Sequence, residues 1–150
     1  PCRKYRYTLH RFWNEGPYAA FVCLNPSTAD ETEDDPTVRR CINFSKRWGY
    51  SGFYMLNAYA FRATDPKDMK AAVDPIGPDN DRWIAEITAK AGTVVVAWGN
   101  HCQPERASKV CSLIQQPVYC LGVNDNGTPK HPLYMPYGCG RRLYGVDASP

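Results

Sequence analysis

The sequence predicts an α/β fold of three layers, α/β/α, with a short central, mostly parallel four-stranded sheet and an added antiparallel strand at the N-terminus. Three observations predict it. Four apolar runs are too short for helices and are bounded by turn residues, the pattern of buried strands. Between them lie stretches whose apolar residues recur at helical spacing. At 150 residues the chain fits one domain, 1–150, large enough to fold around its own core.

The elements follow in order. Tyr5, Tyr7 and Leu9 alternate with Arg6, Thr8 and His10, the period of a half-buried strand, and Gly16-Pro17 marks a turn. Tyr18 to Leu24 is an apolar run suited to a buried strand, halted at Asn25-Pro26-Ser27. From Thr28 to Asp35 there are five acids and no apolar residue larger than Ala, which predicts an exposed loop. Pro36 can open a helix with Asp35 as its N-cap; Val38, Cys41, Ile42, Ser45 and Trp48 give the buried stripe, and Gly49 stops it. Phe53 to Ala58 is a second buried strand, followed by a loop with Thr64-Asp65-Pro66. A Pro/Gly-rich passage from Asp74 to Pro78 precedes a helix facing inward through Trp83, Ile84 and Ile87 and ending at Gly92. Thr93 to Trp98 is the third core strand, Glu105 to Ile114 a helix, and Pro117 to Leu121 the fourth core strand. Strands alternating with helices mean a mostly parallel sheet covered on both faces, whose ligands bind beyond the carboxyl ends of the strands.

Composition narrows the class. Hydrophobic residues at 43% and charged residues at 22% exclude a disordered or fibrous chain. No apolar run approaches a membrane span and the N-terminus shows no signal-peptide pattern, so a cytoplasmic protein is expected. A net charge of +3 permits an anionic partner but is far below that of a dedicated polycation. The seven cysteines include no Cys-x-x-Cys pair, so reduced thiols are expected, with no metal and no disulfide network; an iron–sulfur cluster assembled from scattered cysteines is the alternative.

The strand-end loops carry the polar groups. Asn25, Ser27 and Thr28 can position a water or bond a polar ligand, and they equally suit a plain turn. Asn57 closes the strand Met55-Leu56, where its amide and carbonyl can match the edge of a pyrimidine or tie down a loop. Gly99, after Trp98, lets the backbone approach an anion, a weak signal for a lone glycine. In Lys130-His131-Pro132-Leu133-Tyr134-Met135-Pro136, a neutral His131 can donate to a developing oxyanion, and apolar side chains on a proline-stiffened loop can wedge into a base stack.

In their order along the chain these motifs resemble the uracil-DNA glycosylase superfamily over roughly Ala19 to Tyr137. That family's water-activating loop with a central Asp-Pro or Asn-Pro corresponds to Cys23-Leu24-Asn25-Pro26-Ser27, and its Leu-Leu-Asn-Ala strand end to Met55-Leu56-Asn57-Ala58. Its Trp-Gly-x-x-Ala-Gln segment is matched by Trp98-Gly99-Asn100-His101-Cys102-Gln103, and its closing His-Pro-Ser-Pro-Leu loop by His131-Pro132-Leu133-Tyr134-Met135. The string Leu24 to Asp30, followed by Asp35-Pro36-Thr37, is typical of the uncharacterised family DUF1643. There are departures. Asn25 stands where the most active branch has a carboxylate, as in the thymine/mismatch-specific branch, and an Asn cannot serve as a general base. Cys23 replaces the family's glycine, and Ser27 or Thr28 replaces the tyrosine that screens out methylated pyrimidines. An acidic loop occupies the place of the aromatic that stacks on the base.

The resemblance implies a DNA base glycosylase of bacterial, archaeal or phage origin, a monomer acting on single- or double-stranded DNA without cofactor or metal. Asn25 would orient the attacking water, Asn57, Ser27 and Thr28 would bind the base, and His131 would stabilise charge on the departing base. Tyr134 and Met135 would form the wedge, and Lys130, Arg141 and Arg142 would contact phosphates. Two alternatives share the fold: a non-catalytic protein that binds modified bases or DNA or inhibits another protein, and an enzyme on free nucleotides or nucleosides.

Overall fold

The computed structural model describes residues 4–26 and 33–144. In chain order the elements are β1 (Leu9–Phe12), β2 (Tyr18–Cys23), α1 (Pro36–Arg47), β3 (Gly52–Asn57), α2 (Pro66–Ala71), α3 (Asn80–Ala89), β4 (Thr93–Val96), α4 (Pro104–Leu113), β5 (Val118–Cys120) and β6 (Arg142–Leu143). The strands form a single sheet in the order β1-β3-β2-β4-β5-β6. The four core strands β3, β2, β4 and β5 are mutually parallel. β1 adds antiparallel to β3 and β6 antiparallel to β5. The sheet is therefore six-stranded. β6 went unforeseen because Arg142 and Leu143 are both exposed and carry no alternating pattern.

Residue type explains the layering. β2 is buried after its first residue and β4 along its whole length, as strands covered on both faces must be. On one face Val38, Cys41 and Phe44 of α1 pack on Ala19, Phe21, Phe53, Met55 and Val95. On the other, Met69 of α2, Ile84 of α3 and Val110 of α4 pack on Ala20, Val22, Leu56, Val94 and Val96. Fully burying a side chain such as Phe44 stabilises the fold by roughly 1.5–3 kcal/mol.

Local chemistry sets the boundaries of α1. The Asp35 side chain accepts from the backbone amide of Val38 at 2.9 Å, and Pro36 occupies the first turn, where its missing N–H costs nothing. Lys46 and Arg47 sit in the last turn, where cations favour the helix dipole, and Gly49 takes the left-handed φ of 85° that ends it. α2 lies where the sequence predicted only loop. Asp65 caps it through the amide of Lys67 at 2.9 Å, and its one buried residue is Met69.

The chain leaves β2 through α1 towards β3, whereas β4 lies on the opposite side of β2 and leads outward through α4 to β5. The connections thus diverge between β2 and β4. At their carboxyl ends this divergence opens a crevice, the usual ligand position in open α/β sheets. No helix among the described residues is long and apolar enough to cross a membrane.

Candidate functional site

A cleft of about 460 Å³ occupies that crevice. Its walls come from the end of β2 (Cys23, Leu24, Asn25), the entry to α1 (Asp35, Thr37), the β4–α4 loop (Gly99 to His101) and the loop at His131 to Tyr134. The buried Trp98 lies at its base. A volume of this size holds a nucleobase with its sugar.

Asn25 is fixed by its amide. Its Nδ2 donates to the carbonyl oxygens of Ala63 at 2.7 Å, Pro26 at 3.1 Å and Phe61 at 3.4 Å. These bonds settle the orientation of the carboxamide. Nδ2 faces the 61–63 segment, and Oδ1 is left to accept from a ligand or water. Asn25 lines the cleft, as the sequence predicts.

His131 lines it from across the crevice. It caps a short 3-10 turn, Pro132–Tyr134, and its Nδ1 accepts from the amide of Leu133 at 3.2 Å. Burial pushes the imidazole pKa below its ordinary value, opposed in part by the charge of Asp35. The ring is held neutral with Nδ1 as acceptor, so the proton resides on Nε2 and that nitrogen is a donor.

The 3-10 turn also decides what projects at the rim. Leu133 is 41% exposed and Tyr134 78%, and both line the cleft. Met135 does not project. It packs on the α1 face of the core, close to Gly122, where an added Cβ would meet its terminal methyl at 3.0 Å. The exposed apolar pair is therefore Leu133 and Tyr134, displaced by one residue from the pair Tyr134 and Met135 that the sequence suggested. A 3-10 turn advances about three residues per turn, so successive residues leave it in widely separated directions.

Arg40, which the sequence reading missed, holds this loop. From α1 its Nη2 donates to the carbonyl of Met135 and its Nε to that of Pro132 at 3.4 Å. Its guanidinium lies 4.1 Å from the centre of the Tyr137 ring. No local pattern could have exposed it, because its partners are backbone carbonyls 92 and 95 residues away.

Other predicted residues fall elsewhere. Asn57 is 1% exposed and is not among the residues that line the cleft. Strand alternation puts it on the face of Phe53 and Met55, and the register sets it beside Cys23. Its carboxamide is thus buried next to the cleft floor without opening onto it, and neither Nδ2 nor Oδ1 has a partner among the described residues. Lys130 is turned into a polar cluster, its Nζ donating to Asn124 Oδ1 at 3.1 Å, while Asn124 and Thr128 donate to Asn100 Oδ1. Arg141 lies over the Trp48 ring at 4.4 Å and donates to the Tyr50 hydroxyl at 3.3 Å. That hydroxyl reaches the carbonyl of Gly92 just before β4, which places Arg141 at the foot of the sheet, away from the cleft. Arg142 is exposed on the edge strand β6 and does not line the cleft. Ser27 and Thr28 lie outside the described residues.

The described cysteines are free thiols, and no group of three or more metal-ligating side chains among the described residues could hold an ion. Burial, and then the neighbouring Cys23, push the Cys41 thiol well above its usual range, which makes it a core residue rather than a nucleophile. A family model described as "Protein of unknown function (DUF1643)" matches residues 6–133. No curated protein and no solved structure matches the chain.

Proposed function

The chain belongs to the DUF1643 family, and from the chemistry of its cleft we propose that it is a DNA base glycosylase related to the uracil-DNA glycosylases. It would draw a flipped nucleotide into the crevice and hydrolyse its N-glycosidic bond. One observation carries the reading. Asn25 and His131, far apart in sequence, line the same cleft at the carboxyl ends of the core strands, one with an orienting acceptor and the other with a neutral ring.

Each residue has a distinct task. Asn25 Oδ1 accepts from a water and aims its lone pair at the anomeric carbon; this is positioning, which can supply much of a barrier reduction. As the carbon–nitrogen bond breaks, its electron pair moves onto the base, and His131 Nε2–H donates to the oxygen where that charge collects. A neutral imidazole suits this task, because it donates a hydrogen bond without first needing a proton from solvent. Leu133 and Tyr134 are placed to fill the gap that the flipped base leaves in the stack. The withdrawn Asn57 leaves base recognition to other groups of the cleft, which supports a substrate other than plain uracil.

The test is a base-release screen on oligonucleotides carrying uracil, hypoxanthine, mismatched thymine or bulky modified pyrimidines, single- and double-stranded, with abasic sites revealed by alkali. Release by the wild type that is lost in Asn25→Ala, with DNA binding retained, is the expected result. Asn25→Asp sets a carboxylate oxygen against the carbonyls of Ala63, Pro26 and Phe61 in place of the donating Nδ2, so it should lose that anchor and release no more uracil than the wild type. Binding without release by either protein would establish a non-catalytic base-binding protein instead. No binding to any DNA would turn the search to free nucleosides and nucleotides.

A further inference from the structure

Asn25 can orient a water but cannot take its proton, since a carboxamide oxygen accepts hydrogen bonds without acting as a base at neutral pH. Hydrolysis needs such an acceptor as the new carbon–oxygen bond forms. Among the described residues that line the cleft, the carboxylate is Asp35. It immediately precedes α1, anchored by the 2.9 Å bond from the Val38 amide to its Oδ1. Its negative charge reaches His131 across the cleft and Cys41 on the next turn of α1, so two elements register its position.

We propose that Asp35 is a further catalytic residue, whose carboxylate takes the proton of the water that Asn25 orients. The inference rests on the glycosylase reading. In the step, the water oxygen bonds to the anomeric carbon while the carbon–nitrogen bond breaks and its electron pair leaves with the base. The water proton moves to Asp35, and it then passes through solvent to the departed base. A sugar hydroxyl and a neutral base result, and no other reactant is consumed.

Several described charged and titratable groups surround Asp35. Arg6 from the N-terminal segment, His101 from the β4–α4 loop and His131 share the cleft with Asp35. The adjacent Asp34 is paired with Arg11 at 2.8 Å, and Arg39 donates to the Asp34 carbonyl at 2.9 Å. Arg40 is engaged by the Pro132 and Met135 carbonyls.

The experiment compares wild type, Asp35→Asn and Asp35→Ser on the best substrate of the base-release screen. Both replacements keep a capping oxygen and remove the proton acceptor. Single-turnover base release should fall by about 10²–10⁴-fold, the usual contribution of a general base, with duplex binding and melting temperature unchanged. A second readout needs no substrate: the imidazole of His131, followed by NMR, should titrate at lower pH in Asp35→Asn than in wild type. Variants that release base at the wild-type rate would overturn the role of Asp35 and leave the glycosylase standing. So would a lost rate accompanied by an unmoved His131 titration and lowered melting temperatures, since that is structural damage. A wild type that releases no base from any substrate overturns both readings together.

Discussion

Replacing Arg40 tests how the loop from His131 to Met135 is held. In Arg40→Met the aliphatic stem remains and the guanidinium is lost, so the carbonyls of Pro132 and Met135 lose the bonds from Arg40 and Tyr137 loses its nearer cation, while the Met135 amide still donates to Pro132 at 3.3 Å and Arg47 stays 6.0 Å from the ring centre. A hydrogen bond from a charged donor contributes roughly 1.5–3 kcal/mol, and a cation–π contact at a partly exposed site adds ~0.5–1 kcal/mol. Arg40 is half-buried and its Nε bond is long at 3.4 Å, so water replaces part of what is lost. The expected cost is therefore near the lower end, about 2–3 kcal/mol. For a chain of this length that lowers the melting temperature by roughly 5–10 °C. Urea unfolding at constant m-value measures the total. Hydrogen exchange locates it: the amides of Leu133 and Tyr134, bonded to His131 Nδ1 and to the His131 carbonyl, should exchange faster than those of β2 and β4. Arg40→Lys keeps the charge but lacks the planar fork, and it should recover less than half of the loss. An unfolding free energy of Arg40→Met within about 0.5 kcal/mol of wild type, the range of ordinary surface changes, would refute the latch.

Two further outcomes follow from the same loop. The folded-state pKa of His131 is depressed below the ordinary value of 6.5, so the unfolded chain binds this proton more readily and its contribution to stability is lost as pH falls through that value towards the folded pKa. His131→Gln should therefore flatten the acid side of the stability–pH curve relative to wild type, and parallel curves between pH 7 and 5 would contradict the burial of the ring. Leu133→Ala and Tyr134→Ala remove exposed side chains, so unfolding should change by no more than ~0.5 kcal/mol. Their affinity for duplex DNA should fall more than that for single strands, and an equal loss on both would remove the wedge.

The core of the fold was legible because burial on both faces of a parallel sheet demands continuous apolar runs. Tyr18 to Cys23 and Thr93 to Val96 could hardly be anything else. Asp35 as N-cap was equally legible, since a carboxylate before Pro36 and a buried stripe at Val38, Cys41 and Ser45 leave one helix start. The N-terminal strand was placed too early. Only Leu9–Phe12 pairs along β3, while Tyr5 forms an isolated bridge to Phe61. What escaped were elements held by few contacts. α2 has six residues and one buried side chain, and β6 owes its existence to the edge of β5.

The site divides along a different line. Asn25 was legible as a cleft residue because it follows directly on β2, whereas His131 lies well beyond the end of β5 and reaches the cleft on a loop that Arg40 holds. Whether a side chain then faces the cleft depends on alternation within the strand and on the sense of the following turn, and neither is visible as a motif. Asn57 shows the consequence. Met55, two residues earlier on the same face, lines the cleft, whereas Asn57 is shut behind it with a carboxamide that has no partner among the described residues. A buried polar group without partners is costly, roughly 1–3 kcal/mol in comparable cases. Its backbone is nonetheless clamped: Asn80 donates to the Asn57 carbonyl at 2.8 Å and to that of Ala58 at 3.3 Å, and Arg106 donates to Ala58 at 2.7 Å. Fixing the strand end so firmly while leaving the side chain unpaired keeps a donor and an acceptor beside the cleft floor.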